Sequence, residues 1–125
     1  MLTLQAVEGK PVLFTEGKRA AANLEELLNV LPELAGVGSL AEVRWLGSVA
    51  VVLGSNLPNW PSRYTISKYV DYIGPSLSAE LTGAFLGGLD DALNQVRKLD
   101  SLGFAAGDLV ANLAAWVAAR SPDDA

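Results

Sequence analysis

Cysteine and histidine are both absent from the 125-residue sequence. Without thiols there is no disulfide, no thiolate metal ligand and no cysteine nucleophile. Without imidazole the commonest metal ligand and the usual general base near pH 7 are missing, so a serine–histidine triad cannot be assembled. Positive charge is scarce as well: nine Lys and Arg stand against fourteen Asp and Glu, a net charge of −5. The basic residues are scattered except for Lys18-Arg19 and Arg97-Lys98, which argues against a nucleic-acid footprint, because phosphate binding needs concentrated positive charge. Long apolar runs are lacking too. The most apolar stretch, Phe104 to Ala119, is interrupted by Asp108 and Asn112 and falls short of the roughly 20 residues of a membrane-spanning helix. Met1-Leu2-Thr3-Leu4-Gln5 shows no basic segment leading into an apolar one, so no secretory signal is read and the expected location is cytoplasmic or within a virion.

Motifs of catalysis and phosphate binding are missing in the same way. Gly47-Ser48 and Gly54-Ser55 do not complete a nucleophile elbow, and Gly36-Val37-Gly38 and Gly87-Gly88 do not complete a phosphate loop. The candidate carboxylates are Glu80, Asp90 and Asp91. Adjacent Asp90 and Asp91 point in different directions on a helix, while Glu80 and Asp91 share a face about 16 Å apart. Neither pair makes a catalytic dyad, and Arg97 and Lys98 two turns on suggest a solvated polar face. The expectation is a chain that is not an enzyme and carries no metal or cofactor.

What is present is apolar. With glycine included, about 58% of positions are apolar against roughly 45–50% in ordinary soluble domains, and charged residues make up 18% against about 25%. One domain of this size has a limited interior. The excess therefore predicts a surface partly covered by other copies of the chain.

Pattern along the chain predicts an α+β fold. Leu2, Leu4 and Ala6 alternate, Glu8-Gly9-Lys10 turns the chain, and Pro11 to Phe14 returns it as an edge strand. A helix opens at Thr15 or Glu16, with Leu24, Leu27, Leu28 and Leu31 on one face, and Pro32 ends or kinks it. Glu42 to Leu46 and Val49 to Leu53, joined at Gly47-Ser48, read as a second hairpin. A loop follows over Gly54 to Ser62, then a short helix over Thr65 to Ile73. A long helix capped by Ser76 or Ser78 runs to about Leu99, and a last one capped by Asp108 runs to Arg120. The expected architecture is two β-hairpins forming a small antiparallel sheet with three to four helices on one face, the C-terminal half being helical. Residues 1–120 read as a single domain, and 121–125 as a short acidic tail expected to fray.

Two features stand out as candidate contact surfaces. Trp60, Arg63, Tyr64, Tyr69 and Tyr72 gather aromatic and guanidinium groups around two prolines, the residue types that dominate interface energetics. They suit a subunit contact or a small-ligand or peptide platform, although a loop closing over the core explains them as well. Gly83, Ala84, Gly87, Gly88 and Ala92 form rows of small residues at helical spacing. Three glycines inside a helix each cost about 1 kcal/mol against alanine, which close approach of another helix offsets. The alanine-rich last helix is the expected partner, from the same chain or from a neighbour. Together these features lead to a non-catalytic structural or assembly subunit of a homo-oligomer, such as a neck, tail or decoration component of a virus or phage particle. The alternative is a small ligand- or peptide-binding domain using residues 59–72.

Overall fold

The computed structural model of the protein describes residues 1–55 and 78–122. Its first element is a three-stranded antiparallel meander of β1 (Leu2–Val7), β2 (Lys10–Thr15) and β3 (Lys18–Ala21), in the order β1-β2-β3. Both turns use the same triplet. Glu8-Gly9 and Glu16-Gly17 each place two residues at positive φ, the signature of a two-residue hairpin loop whose twist matches the strands. Leu2 pairs with Thr15 and Val7 with Lys10 across the first hairpin, while the second shifts register between Leu13 and Phe14.

Four helices complete the described fold: α1 (Leu24–Val37), α2 (Leu40–Leu53), α3 (Ala79–Ser101) and α4 (Ala106–Ala119). The protein is α+β with a helical C-terminal half, and several boundaries differ from expectation. The helix expected from Thr15 or Glu16 gives way to β3 and starts at Leu24, where the Asn23 side chain accepts from Glu26 N at 2.9 Å. Pro32 lies inside α1 rather than ending it. Asp108 does not cap the last helix, which begins a turn earlier after Ala105, leaving Asp108 in the first turn, where a carboxylate still suits the helix dipole. Ser78 does cap α3, accepting from Leu81 N.

The largest correction is α2. The segment expected to be a second hairpin is a helix, opened by a reciprocal capping box in which Ser39 Oγ accepts from Glu42 N at 3.2 Å and Glu42 Oε1 accepts from Ser39 N at 3.3 Å. From Trp45 to Val52 every residue is buried, so the helix is apolar around its whole circumference. Its position explains this, because α2 contacts α1, α3, α4 and β2. The sheet is therefore three-stranded, and the core assembles around α2 with Leu13, Leu27, Leu31, Phe85, Leu89, Leu113 and Val117.

The α2–α3 contact depends on missing side chains. A Cβ at Gly88 would overlap the Arg44 carbonyl oxygen, and one at Gly47 would overlap the Phe85 carbonyl oxygen. The backbones thus approach closely enough for Ser48 Oγ to donate to the Gly88 carbonyl at 2.8 Å. Gly87 makes room for the Arg44 guanidinium, with Nη1 2.8 Å from where a Cβ would lie. The partner of the glycine-rich face is α2, not the alanine-rich last helix.

Candidate functional site

The depressions bordered by described residues include two of different character. The larger, about 350 Å³, lies between the first hairpin and α4. On the sheet side it is lined by Leu4, Gln5, Ala6, Gly9 and Pro11. Leu4 and Ala6 share one face of the sheet with Pro11, which stands opposite Ala6 on β2, so the groove lies between that face of the first hairpin and α4. On the other side stand Gly107, Val110, Ala111, Ala114, Ala115 and Ala118, small residues that keep α4 from filling the space. No lining residue is charged. Gln5 is the one polar side chain there, and its Nε2 donates to Thr3 Oγ1 at 3.0 Å.

Among the described residues the β1 edge is only partly closed. Pro11 stands opposite Ala6 and has no N–H, and Glu16 N donates to the Met1 carbonyl. With the alternation of an antiparallel ladder, the residues bonded to β2 are therefore Met1, Thr3, Gln5 and Val7, and the even-numbered ones direct N–H and C=O outward. At Leu2 the outward carbonyl accepts from Ser121 Oγ at 2.9 Å, which closes that end with the residue following α4. Ser121, assigned by sequence to the fraying tail, is buried to 5% exposure. Beyond it, at Leu4 and Ala6, the outward amides and carbonyls have no hydrogen-bond partner among the described residues.

The smaller depression, about 180 Å³, is polar and is lined by Arg44, Trp45, Ser48, Asp91 and Arg120 among others. Arg44 binds Asp91 in a two-point ion pair, Nε to Oδ2 at 3.0 Å and Nη2 to Oδ1 at 3.1 Å. Trp45 Nε1 donates to the Val117 carbonyl at 2.7 Å, tying α2 to α4. The Arg120 guanidinium lies 4.5 Å from the centroid of the Trp116 ring.

The other singled-out residues fall as follows. Glu80 is exposed, and Arg97 donates to Asn94 Oδ1. Gly83 has open space around it, Ala84 is half-buried, Gly88 and Ala92 are buried, and Gly87 borders Arg44. Trp60, Arg63, Tyr64, Tyr69 and Tyr72 lie outside the described residues. Among the described residues no three acidic groups gather as metal ligands, and no helix is long and apolar enough to cross a membrane.

A second charged cluster lies at the start of α1. Arg19 donates through Nη1 and Nη2 to both Glu26 carboxylate oxygens at 3.0 and 2.8 Å, and Glu26 also accepts from Ala22 N and Asn23 Nδ2. The hydrogen bonds from Arg19 hold the Glu26 carboxyl below the usual glutamate range, and the Arg19 guanidinium is raised in return. This is a cap that joins β3 to α1. Sequence reading missed it because it took the segment before Leu24 as helix.

Comparison with protein-family models, curated proteins and solved structures finds no match.

Proposed function

We propose that the chain is a non-catalytic structural or assembly subunit of a homo-oligomeric complex, a role that a virus or phage particle component would fill. The observation that carries this reading is the uncharged groove between β1 and α4. It opens on a helix face whose exposed positions include Ala111 and Ala115, and Val7 on β1 is 43% exposed. Apolar surface of this kind, on a chain with few charges, is what contact with other subunits covers. Small side chains on α4 suit such a contact because they let a neighbouring backbone come close.

The test is the mass in solution. Size-exclusion chromatography with light scattering at micromolar concentration is expected to give a multiple of 13.1 kDa. Ala111→Glu, which puts a charge on the exposed face without touching the core, is expected to lower that mass while leaving the circular dichroism unchanged. A chain that runs at 13.1 kDa across the concentration range overturns the reading.

A further inference from the structure

We propose that α4 is a strap that opens as one unit, secured at its C-terminal end and weakly held at its N-terminal end. The connection from α3 sets the pivot. Gly103, at φ 86°, reverses the chain: its N–H donates to the Asp100 carbonyl and the Phe104 N–H to that of Leu99, the paired bonds of a helix end closed by glycine. Phe104 packs against the core, so α3 is finished before α4 starts. The first turn of α4 then has little to hold it. Its N-cap is Ala105, which supplies no side-chain acceptor, and it includes Gly107, which has open space around it. Both residues weaken that turn.

The other end is held by two elements. Trp45 on α2 donates to the Val117 carbonyl at 2.7 Å, and Ser121 donates to the Leu2 carbonyl at 2.9 Å. Between the ends α4 buries Leu109, Leu113 and Val117, a single stripe, and no ion pair of the described residues joins it to another element. The α2–α3 contact is of another kind. There the backbones meet at Gly47 and Gly88, and Arg44 and Asp91 add a two-point ion pair.

Elements with few buried apolar contacts open at lower free energy than the core they rest on. A released helix of 14 residues is marginal in water, so the α4 amides exchange on opening. The opened form uncovers Leu2 and Trp45, each at 5% exposure in the closed one, while α2 and α3 stay together. This goes beyond the assembly reading, because opening is a property of a single chain.

Native-state hydrogen exchange on the whole protein, followed amide by amide by nuclear magnetic resonance in low urea, tests it. The expected result is one shared opening for the α4 amides, roughly tenfold or more above that of the α2 core, with a weaker urea dependence because less surface is exposed. Ser121→Ala is expected to speed α4 exchange by about two- to tenfold. Gly88→Ala perturbs a contact present in both the closed and the opened form. It is expected to speed exchange in α2 and α3 by roughly tenfold or more and to leave α4 unchanged.

An α4 that speeds together with α2 and α3 in Gly88→Ala overturns the proposal. So does α4 exchange that matches the core in rate and urea dependence, exchange graded residue by residue from the C-terminal end, or an unchanged α4 rate in Ser121→Ala. Protection of α4 that grows with protein concentration assigns its hold to a neighbouring copy, which overturns the strap and leaves the assembly reading standing. A monomer in light scattering with the expected exchange pattern removes the assembly reading and keeps this one.

Discussion

Replacing Gly88 by alanine sets two effects against each other. In an open helix interior the change stabilises by about 1 kcal/mol, because alanine has less chain entropy to lose. Gly83 is such a position, with nothing within 4 Å of an added Cβ, so Gly83→Ala should raise stability by about 0.5–1 kcal/mol. At Gly88 the same methyl overlaps the Arg44 carbonyl oxygen. That atom belongs to the backbone of α2 and cannot rotate aside, so the two helices must part. A gap of 0.5–1 Å forfeits roughly a quarter to a half of the dispersion energy of the atoms that face it. It also strains the 2.8 Å bond from Ser48 to the Gly88 carbonyl, worth about 1 kcal/mol net. Overpacking of this kind costs about 1–3 kcal/mol. With the lost hydrogen bond added and the propensity gain subtracted, Gly88→Ala should destabilise by about 2 kcal/mol. With a urea slope of about 1–3 kcal/mol per molar, the unfolding midpoint should fall by roughly 1 M while that of Gly83→Ala rises. A Gly88→Ala midpoint at or above that of the parent would refute the close approach of α2 and α3. Gly47→Ala, which meets the Phe85 carbonyl in the same contact, should not add its full cost to that of Gly88→Ala.

Two further outcomes follow from the hydrogen-bonded clusters. Trp45→Phe removes one of two donors to the Val117 carbonyl, which also accepts from Arg120 N, and should cost about 0.5–1.5 kcal/mol for the lost hydrogen bond, read by urea unfolding; a neutral effect would show that the Trp45 bond is not formed in solution. The Glu26 carboxyl, lowered chiefly by its hydrogen bonds from Arg19, favours the folded state above the ordinary glutamate value of about 4.3. That contribution is lost as pH falls through the lower folded value. A carboxyl titration by nuclear magnetic resonance should place Glu26 below the ordinary glutamate range in the parent and move it upward in Arg19→Gln; no movement would mean that the pair is not formed in solution.

Sequence pattern makes some of this fold legible and hides the rest for identifiable reasons. The long helix α3 is readable because only one side of it is buried, giving Phe85, Leu89, Ala92 and Leu99 the spacing of a helix face. The same holds for Leu109, Leu113 and Val117 on α4. The helix α2 is hidden because it is buried all round, so its apolar run carries no helical period, and Val49 to Leu53 is rich in β-branched residues. The one available signal was Ser39 followed three residues later by Glu42, a capping box. The third strand was signalled by repetition, since Glu16-Gly17-Lys18 copies Glu8-Gly9-Lys10. The glycines of α3 point to a close helix contact but not to its partner, because residue type cannot tell which neighbour comes near. The groove was the least legible feature. It needs β1 and α4, more than ninety residues apart in the chain, to lie side by side, and its alanines read equally well as core.

The bond from Ser121 to the Leu2 carbonyl makes the first strand and the last helix mutual supports. Neither extremity can peel away without unfastening the other, so fraying at the two ends should be one correlated event rather than two independent ones. Pulling on either end with a tether would then load the same fastening, and the force needed to open the fold should drop when Ser121 loses its hydroxyl.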